Sequence, residues 1–247
     1  MAQLPTELVK VDWGKYIPAL GDGLVKTIEF TAVSFVGAVI LGLLVALMRL
    51  SKLRVLRIIA VIYTELFKNV PLLAIIFLTY FGLSQAGVSL SAFAAGCIAL
   101  VVFYAAYLSE IFRSAMTGVH AGQAEASQAL GLNGLATFGS VIFPQALRLA
   151  LAGTNTMAVD LLKSTSLLVT ISAAELMTQG SLITSTTFRA LEVYLVISLL
   201  YFAMCYPVSQ GLLWLERRVH AGKPLTRSRS RRLREAKRLL DQEGVLA

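Results

Sequence analysis

The sequence predicts an all-α, polytopic membrane protein with five transmembrane helices, and three observations support this fold class. First, the 247-residue chain is 57% hydrophobic and only 15% charged, with a mean hydropathy of +0.74, which lies outside the range of soluble globular domains. Second, two stretches carry no charge: Phe30–Met48, with 19 residues, and Val70–Ser109, with 40. Third, Lys and Arg cluster beside the apolar stretches, as they do at the cytoplasmic ends of membrane spans.

The first three spans follow from length and turn signals. Phe30–Met48 lies in the first span. An α-helix rises about 1.5 Å per residue, so the 40 uncharged residues of Val70–Ser109 are roughly twice as long as a bilayer crossing requires. This stretch must therefore cross twice, with a turn at Gly82–Gly87. The second span then ends near Phe81, and the third runs from about Leu90 to Ile111.

Two further spans complete the five. The segment Arg148–Gly180 has the length of one crossing, although it carries Asp160, Lys163 and Glu175. The segment Val193–Leu215 carries no charge and is the fifth span.

Charge near the span ends predicts the orientation. Arg49, Lys52, Arg54 and Arg57 follow the first span with no acidic residue among them, and the segment after Leu215 holds ten basic and four acidic residues. Both regions are expected in the cytoplasm. With five spans, the N-terminus lies outside and the C-terminus inside.

Three regions follow along the chain. Residues 1–23 form an extracytoplasmic segment that includes an interfacial lead-in helix at residues 11–23, and charged residues there argue against a signal peptide. Residues 24–216 form the transmembrane domain, with a cytoplasmic loop at about 114–147. Residues 217–247 form a basic cytoplasmic tail that is expected to meet anionic lipid headgroups. This tail has no aromatic residues on which bases could stack, so nucleic-acid binding is not expected.

The cytoplasmic loop contains a polar stretch that begins at Glu125 and ends at Pro144. Its alanines favour a helix, Gly131 can end that helix in a left-handed conformation, and Pro144 is expected to restart a helix. Small side chains such as Ala126 and Ser127 let a partner approach the backbone, and Glu125 supplies a negative charge near the helix start. The stretch therefore predicts a short helix, a turn and a second helix start; an ordinary loop helix is the alternative.

The spacing in this stretch resembles the EAA loop of ATP-binding-cassette (ABC) importer permeases. Their pattern is E-A-A, three residues, G, nine residues and I-x-L-P. The present chain keeps that spacing and departs from the pattern at Ser127, Val141 and Phe143, each close in size to the usual residue. The resemblance implies that the residues which couple this chain to an ATPase are Glu125, Ala126, Ser127, Gly131 and Pro144.

Flanking motifs resemble the polar amino-acid permeases of this class, the histidine, glutamine and glutamate type. The segment Tyr63–Leu73 is similar to their pattern Y-x-E-x-F-R-x-x-P-L-L. The resemblance covers the chain from Gly21 to Arg218 and implies the MetI-like architecture of the class. The other matching segments are Gly23-Leu24 with Thr27, Ala106–Arg113, Gly122-Gln123, Pro144–Arg148 and Leu162–Leu167.

Two positions depart from the amino-acid permeases. Thr156 stands where the family commonly has Asn after a Pro-rich segment, and Asp160 stands where the family tends to be apolar. Asp160 and Lys163 are three residues apart on a helix, so we expect them to pair and relieve the cost of two charges in a low dielectric. A structural role is favoured for this pair, and contact with substrate stays open.

Charges within the second span suggest a translocation path. Glu65 and Lys68 precede Pro71, which removes a helical hydrogen bond and frees a carbonyl near Phe67. A kinked, charged helix suits a gate, and a salt bridge that fixes helix packing explains the same residues. Hydroxyls in membrane helices also bond to the backbone. The candidate path residues are Glu65, Lys68, Asn69, Pro71, Lys163, Thr165 and Ser166.

The sequence contains no motif for catalysis or for a cofactor. Cys97 and Cys205 lie singly in apolar spans, and the chain has no C-x-x-C, His cluster, P-loop or Gly-rich dinucleotide motif. We therefore expect no enzyme activity and no metal or cofactor site on this chain. The resemblance implies that a partner subunit binds and hydrolyses ATP.

The resemblance implies a permease subunit of an importer in the inner membrane of a prokaryote. Its expected partners are a second permease chain, identical or paralogous, cytoplasmic ATPase subunits, and an extracytoplasmic solute-binding protein. Its substrates are polar amino acids, with glutamate or aspartate suggested by Lys68 and Lys163. The alternatives are an ATP-independent carrier or channel, a permease for another small polar solute, and a membrane scaffold without transport.

Overall fold

Helices joined by short connections make up residues 11–221, the part of the chain that the computed structural model describes, and no strand is present in that range. Helix α1 (Trp13–Leu50) has 38 residues, which is about 57 Å at 1.5 Å per residue and longer than the roughly 30 Å hydrocarbon core of a bilayer. Residues 13–23, expected as a lead-in helix, are the first three turns of α1 and continue without a break into the first predicted span. The basic tail that begins at Thr226 lies outside the described residues.

The second predicted span is broken rather than kinked. Helix α2 (Arg54–Asn69) is followed by α3 (Leu72–Phe77), a π-helical turn (Leu78–Gly82) and the short α4 (Leu83–Gln85). The two arms meet at an angle of 106°. The cause is Pro71, because proline forces the preceding residue out of the α region, and Val70 has extended backbone angles, φ −97° and ψ 133°. The expectation of one kinked helix ending near Phe81 was therefore wrong.

The third predicted span is confirmed as helix α5 (Ala92–Thr117), whose first turn is capped by the Ser91 hydroxyl, 3.2 Å from the amide of Ala94. The turn before it lies later than predicted, because the preceding helix continues through Gly82 to Gln85 and the chain reverses at Gly87, where φ is +88°.

Helix α5 packs along α1 more extensively than any other pair of described helices. The contact is close because α1 buries the small residues Ala38, Gly42 and Ala46 on one face. A Cβ atom on Gly42 would lie 2.9 Å from Leu108 Cβ and 3.1 Å from the carbonyl oxygen of Ala105. Small residues at such interfaces let two membrane helices approach closely.

A charged cluster joins the same two helices at the end of α1. Glu110 of α5 accepts hydrogen bonds from Arg49 of α1 and from Arg113 one turn further along α5. Both partners are partly buried, so the cluster fixes the relative position of α1 and α5 at this end.

The predicted helix–turn–helix is present, but its second helix begins earlier than expected. Helix α6 (Ala121–Ala129) is followed by α7 (Gly134–Thr137), a π-helical turn (Phe138–Ile142) and α8 (Phe143–Ser164). Pro144 is the second residue of α8, as expected for a residue that restarts a helix, but α7 and the π-helical turn lead into α8 without a break, so the helical segment as a whole starts at Gly134. The wider π-helical turn just before Pro144 accommodates a residue that cannot donate a backbone hydrogen bond.

The fourth span ends earlier than predicted. After α8, residues Thr165–Ile171 form a 3₁₀ helix and Ser172 has a left-handed φ of 52°. The hydroxyls of Thr165, Ser166 and Thr170 each donate to the carbonyl three residues back, at 2.7–2.8 Å, which favours the tighter winding. The following helix α9 (Leu176–Thr187) is a separate element of 12 residues, so the boundary expected at Gly180 was wrong.

The fifth predicted span is confirmed within the longer helix α10 (Ala190–Ala221). Four described helical segments are long and apolar enough to cross a membrane, and the bent pair α2 with α3–α4 makes a fifth when it is counted as one span. The predicted total of five therefore depends on that broken span.

The buried apolar residues form two clusters. The larger joins α1, α3, α5, α8 and the 3₁₀ helix around Phe30, Ile76, Leu100 and Leu161. The smaller joins the start of α1 with α9, α10 and the end of α8 around Leu162, Leu176, Val193 and Ile197. Helix α8 contributes to both clusters and is therefore placed to transmit movement between them.

Candidate functional site

The loop helix α6 has defined caps at both ends. At its start, Nδ1 of His120 accepts a hydrogen bond from the amide of Gly122 at 3.1 Å. At its end, Gly131 has a φ of +82°, which confirms the predicted left-handed conformation. The amide of Leu132 donates to the carbonyl of Ser127 at 3.1 Å, so the helix end and the turn close on each other as in a Schellman motif.

The predicted coupling residues divide between an exposed and a buried set. Glu125, Ala126, Gly131 and Pro144 are exposed, whereas Ser127 is buried and donates to the carbonyl of Gln123 at 2.7 Å. Ser127 therefore holds the inner side of α6. Glu125 and Ala126 are open to a partner.

Two exposed leucines on this loop were missed as site residues. Leu130 and Leu135 are each 83% exposed and flank the turn at Gly131. Leu135 lies in α7, whose first turn is capped by Asn133, with Oδ1 2.9 Å from the amide of Ala136. The signal was present in the sequence as two large apolar residues beside a glycine turn in an otherwise polar stretch. Exposed apolar residues held on a rigid turn are suited to contact another protein.

A side-chain hydrogen bond ties the loop helix to the start of α8. Nε2 of Gln145 donates to Oε1 of Gln123 at 3.2 Å and to the carbonyl of Val141 at 3.0 Å. Gln123 lies on α6, and Gln145 lies in the first turn of α8. A side-chain contact therefore connects α6 to the first turn of α8.

The charged residues of α2 do not pair with each other. Among the described residues no ion pair joins Glu65 and Lys68, so the salt-bridge alternative was wrong. Instead the side-chain amide of Asn69 donates to the carbonyl of Glu65 at 2.7 Å and to its carboxylate at 3.4 Å. The carbonyl of Lys68, one of those left open at the end of α2, accepts from the hydroxyl of Tyr107 at 3.2 Å.

The expected pair of Asp160 and Lys163 is also not formed within the part of the chain that the structure describes. Asp160 instead accepts a hydrogen bond at 2.8 Å from the hydroxyl of Tyr104, a buried residue of α5. The same hydroxyl lies 2.8 Å from Oγ of Ser164. Helical spacing permits an ion pair between Asp160 and Lys163, but the Tyr104 hydroxyl on the facing helix α5 donates a hydrogen bond to the Asp160 carboxylate instead.

A groove of about 610 Å³ lies between α8, α9 and α10. Lys163 and Ser166, two of the predicted path residues, line it, whereas Thr165 is buried behind it. The predicted residues on α2 are not part of this groove. Its lining carries a cation and several hydroxyls but no carboxylate among the described residues: Val159, Lys163, Ser166, Met177, Tyr194, Ile197, Ser198, Tyr201, Phe202, Cys205, Tyr206 and Ser209.

A buried carboxylate lies beside the groove. Glu175 is 0% exposed and accepts from Tyr201, a lining residue, at 2.8 Å. The sequence showed it only as a charge within the fourth span. Glu is not among the residues that usually cap the start of a helix, so the local sequence held no signal for its role as the cap of α9.

No group of three or more His, Cys, Asp or Glu side chains that could hold a metal ion lies within residues 11–221. Cys97 and Cys205 are both buried and unpaired. The site therefore consists of the loop helix α6 with its exposed turn, helix α8, which connects this loop to the interior, and a groove whose described lining has one cationic side chain, Lys163.

Comparison with known proteins identifies the family. Residues 38–221 match the inner membrane component of binding-protein-dependent transport systems. The probable glutamine ABC transporter permease protein GlnM of Bacillus subtilis is 32% identical over 198 residues, which cover 80% of this chain and 92% of that protein. The chain belongs to the permeases of amino-acid ABC transporters. This permease is thus a multi-pass inner-membrane component of a transport system.

Two further proteins are similar over most of the permease. The probable amino-acid ABC transporter permease protein YckA of Bacillus subtilis is 36% identical over 188 residues, 76% of this chain and 83% of that protein. A crystal structure of an amino acid ABC transporter with histidines superposes with a TM-score of 0.79 at 33% identity, covering 88% of this permease and all of that chain. The all-helical fold and the resemblance seen in the sequence are therefore confirmed.

Proposed function

We propose that this permease forms, with a second permease chain, the membrane pathway for uptake of polar amino acids. The observation that carries the proposal is the continuity of α8, which is tied to the loop helix by Gln145 and lines the groove with Lys163. From Pro144 to Lys163, 19 residues at 1.5 Å each give about 29 Å, close to the hydrocarbon thickness of a bilayer. One helix thus connects a surface for a partner with a candidate solute site.

The need for a second chain follows from the exposed face of α8. Arg148, Thr156 and Asp160 lie four or eight residues apart on this face and are exposed in the single chain. Lipid cannot satisfy such side chains, so residues of this kind face a water-filled cavity or another protein chain. Two copies, identical or paralogous, that turn this face toward each other would enclose a polar path.

The orientation that we propose places the N-terminus outside and the C-terminus inside. Arg49, Lys52, Arg54 and Arg57 lie at the connection between α1 and α2, and the positive-inside rule puts that connection in the cytoplasm. The α6 loop then lies on the cytoplasmic side as well. An extracytoplasmic solute-binding protein would deliver the amino acid to the opposite face.

Two cytoplasmic ATPase subunits are proposed to dock on α6 and its turn. Glu125 offers a charge, and Leu130 and Leu135 offer apolar contacts. When ATP closes the ATPase pair, the loop moves, Gln145 carries the displacement to α8, and the groove changes its access. The ATP chemistry belongs to the partner, because this chain supplies contact and movement only.

Acidic amino acids, glutamate or aspartate, are the proposed substrates. Lys163 presents an ammonium in a groove whose described lining has no carboxylate, and the nearby Asp160 lies outside that lining, where it accepts from Tyr104. A groove with one cation favours a solute with a net negative charge and disfavours lysine or arginine.

Uptake by the reconstituted complex tests the proposal. Vesicles that contain this permease, its permease partner and the ATPase, supplied with the binding protein and ATP, should accumulate labelled glutamate or aspartate but not arginine. Transport of the amino acid by this permease without the ATPase would contradict the proposed coupling. Uptake of arginine in preference to glutamate would contradict the proposed substrate class.

A further inference from the structure

Glu175 is the only Asp, Glu, Lys or Arg side chain that is fully buried among the residues whose burial is described. Its carboxylate accepts four hydrogen bonds. The amides of Met177 and Thr178 donate at 2.8 and 2.6 Å, the Thr178 hydroxyl at 2.9 Å, and the Tyr201 hydroxyl at 2.8 Å. An ionised carboxylate has about four acceptor sites, so this arrangement satisfies it completely.

The hydrogen bonds around Glu175 connect three helices. Met177 and Thr178 belong to the first turn of α9, and Tyr201 belongs to α10. On the other side, Oγ1 of Thr27 in α1 accepts from the amide of Leu176 at 3.1 Å and donates to the carbonyl of Gly23 at 3.0 Å. The start of α9 is therefore held by α1 and α10 at once.

Two glycines allow α9 to lie this close to its neighbours. A Cβ on Gly23 of α1 would lie 3.0 Å from Cα of Leu176, and a Cβ on Gly180 of α9 would lie 2.7 Å from Cγ1 of Ile197 in α10. Helix α9 is thus packed closely between α1 and α10. Its orientation is set at its N-terminal end by the Glu175 hydrogen bonds.

The same residues form one wall of the groove. Met177 and Tyr201 both line it, together with Lys163 at the end of α8 and Ser166 in the 3₁₀ helix that follows. The Tyr201 hydroxyl is held by Glu175 while other atoms of the side chain line the groove. Apolar side chains would fill the space behind this wall without the cost of burying a charge. Unlike an apolar side chain, the Glu175 carboxylate fixes the direction of each hydrogen-bond donor that it accepts from.

We propose that Glu175 is a positioning residue for solute recognition: through Tyr201 and the first turn of α9 it sets the shape of the groove opposite Lys163. The proposal rests on the proposed role of the groove as the solute site. Glu175 does not itself touch the solute. Loss of its hydrogen bonds changes how well the groove fits the amino acid and leaves the coupling loop unaffected.

The first test compares E175Q, Y201F and the double variant in the reconstituted complex. Glutamine keeps the size of the side chain but has one acceptor oxygen, and Y201F removes a single donor. Hydrogen bonds to charged groups contribute enough to change an equilibrium constant about tenfold. We expect the KM for uptake to rise at least about fivefold with kcat within about twofold, and the double variant to be no worse than E175Q. The matched control is E192Q, because Glu192 is an exposed carboxylate of α10 paired only with Arg189 at 2.7 Å.

A second readout follows the groove without transport. In a Cys97→Ala background, Cys205 lies in the groove one helical turn after Tyr201 and reports access through its rate of reaction with a methanethiosulfonate reagent. We expect this rate to change at least about fivefold in E175Q and in Y201F, and to stay unchanged in E192Q. If glutamate protects Cys205 in the protein with Glu175 intact, the groove is a solute site. Absence of protection would contradict the proposed function, whatever the E175Q result.

The outcomes separate the two ideas. An unchanged KM and labelling rate in both E175Q and Y201F would overturn the positioning role while leaving transport in place. A loss of maximal uptake rate in proportion to membrane level, at unchanged KM, would also overturn it, because a purely structural defect removes molecules without changing their affinity. If the E175Q permease does not assemble, the positioning role is tested by the KM and the Cys205 labelling rate of Y201F, which lacks only one hydroxyl.

Discussion

At the scale of single residues, backbone conformation was easier to predict than the partner with which a side chain forms a hydrogen bond or ion pair. Gly131 was predicted to end a helix in a left-handed conformation, and its φ of +82° confirms this. The pairing of Asp160 with Lys163 was predicted from spacing and was wrong, since Tyr104 takes the carboxylate. Spacing along one helix describes only the neighbours on that helix. The residue that wins the hydrogen bond lies 56 positions away in the sequence.

Gly131 gives a direct test of the coupling loop. Valine at this position would be forced into a left-handed conformation, which is strained for a β-branched residue, so the turn between α6 and α7 should be displaced. We expect normal membrane levels and at least about tenfold lower ATP-driven uptake, with weaker co-purification of the ATPase. Glu125→Lys should act in the same direction by reversing the charge presented to the partner.

The matched control for Gly131 is Gly134→Val, three residues later. A Cβ at either glycine meets nothing within 4 Å, but only Gly131 has a positive φ. The control should keep most of its uptake. Equal loss in the two variants would show that size, rather than the left-handed conformation, matters at this loop.

Lys163 gives a test of the solute site. Removing the ammonium in Lys163→Gln takes away a charge-assisted hydrogen bond worth about 1.5–3 kcal/mol, equivalent to about a 10- to 100-fold loss of affinity for an anionic solute. We expect the KM for glutamate to rise by this factor, while ATP hydrolysis by the partner stays coupled to transport. Lys26→Gln is the control, because Lys26 is half exposed and bound to Glu29 at 2.7 Å outside the groove. A glutamate KM within twofold of the unmodified value would rule out Lys163 as the selecting charge.

At the scale of helices, the sequence predicted which segments are helical better than where they bend. Two prolines illustrate the limit. Pro71 was expected to kink one helix and instead separates two, while Pro144 was expected to start a helix and does lie in the first turn of α8, but the helical segment already begins at Gly134. The effect of a proline depends on what surrounds it: an extended Val70 in the first case and a π-helical turn in the second. Local sequence does not specify either of these surroundings.

The contact between α1 and α5 provides a prediction about packing. Gly42→Ala would bring a methyl group to 2.9 Å from Leu108 Cβ and 3.1 Å from a backbone oxygen, and such overpacking costs about 1–3 kcal/mol. We expect a lower melting temperature in detergent and a reduced yield of folded protein, measured by thermal unfolding and size-exclusion chromatography. Gly21→Ala on the same helix has no neighbour within 4 Å and should behave like the unmodified protein. Equal stability of the two variants would refute the close approach at Gly42.

At the scale of the whole molecule, composition and charge predicted a helical membrane protein, and the family comparison agrees with that class. The division of the interior into two apolar clusters, with α8 contributing to both, was not predicted. Neither was the groove, because its lining comes from residues 159–209 on three helices and the 3₁₀ helix. Hydropathy reports how apolar a segment is. It carries no information about which segments pack together.

The proposed orientation can be measured by cysteine accessibility. In a background without Cys97 and Cys205, single cysteines at Ser84, in α4 just before the turn to α5, and at Ser228, in the basic tail, should react with membrane-impermeant reagents from opposite sides. Charge clustering near Arg49–Arg57 predicts that Ser84 is reached from outside and Ser228 only after the membrane is opened. Labelling of both positions on intact cells would exclude an inside C-terminus.

The π-helical turn at Phe138–Ile142 fixes the angular phase between the two ends of the α7–α8 segment. A π-helical turn winds more residues into one turn than an α-helix does, and each α-helical residue rotates the axis by about 100°. Deleting Ser140 would let the turn close as ordinary α-helix with nearly the same phase, because the remaining four residues complete about the same rotation. Deleting one residue of α8 itself, such as Ala152, leaves no wider turn to absorb the change. Glu125 and Leu135 would then point about 100° away from their present direction relative to Lys163, with every side chain at both ends still in place. A permease of this kind would still bind its solute and its ATPase. The movement of the ATPase, however, would reach the groove from the wrong direction.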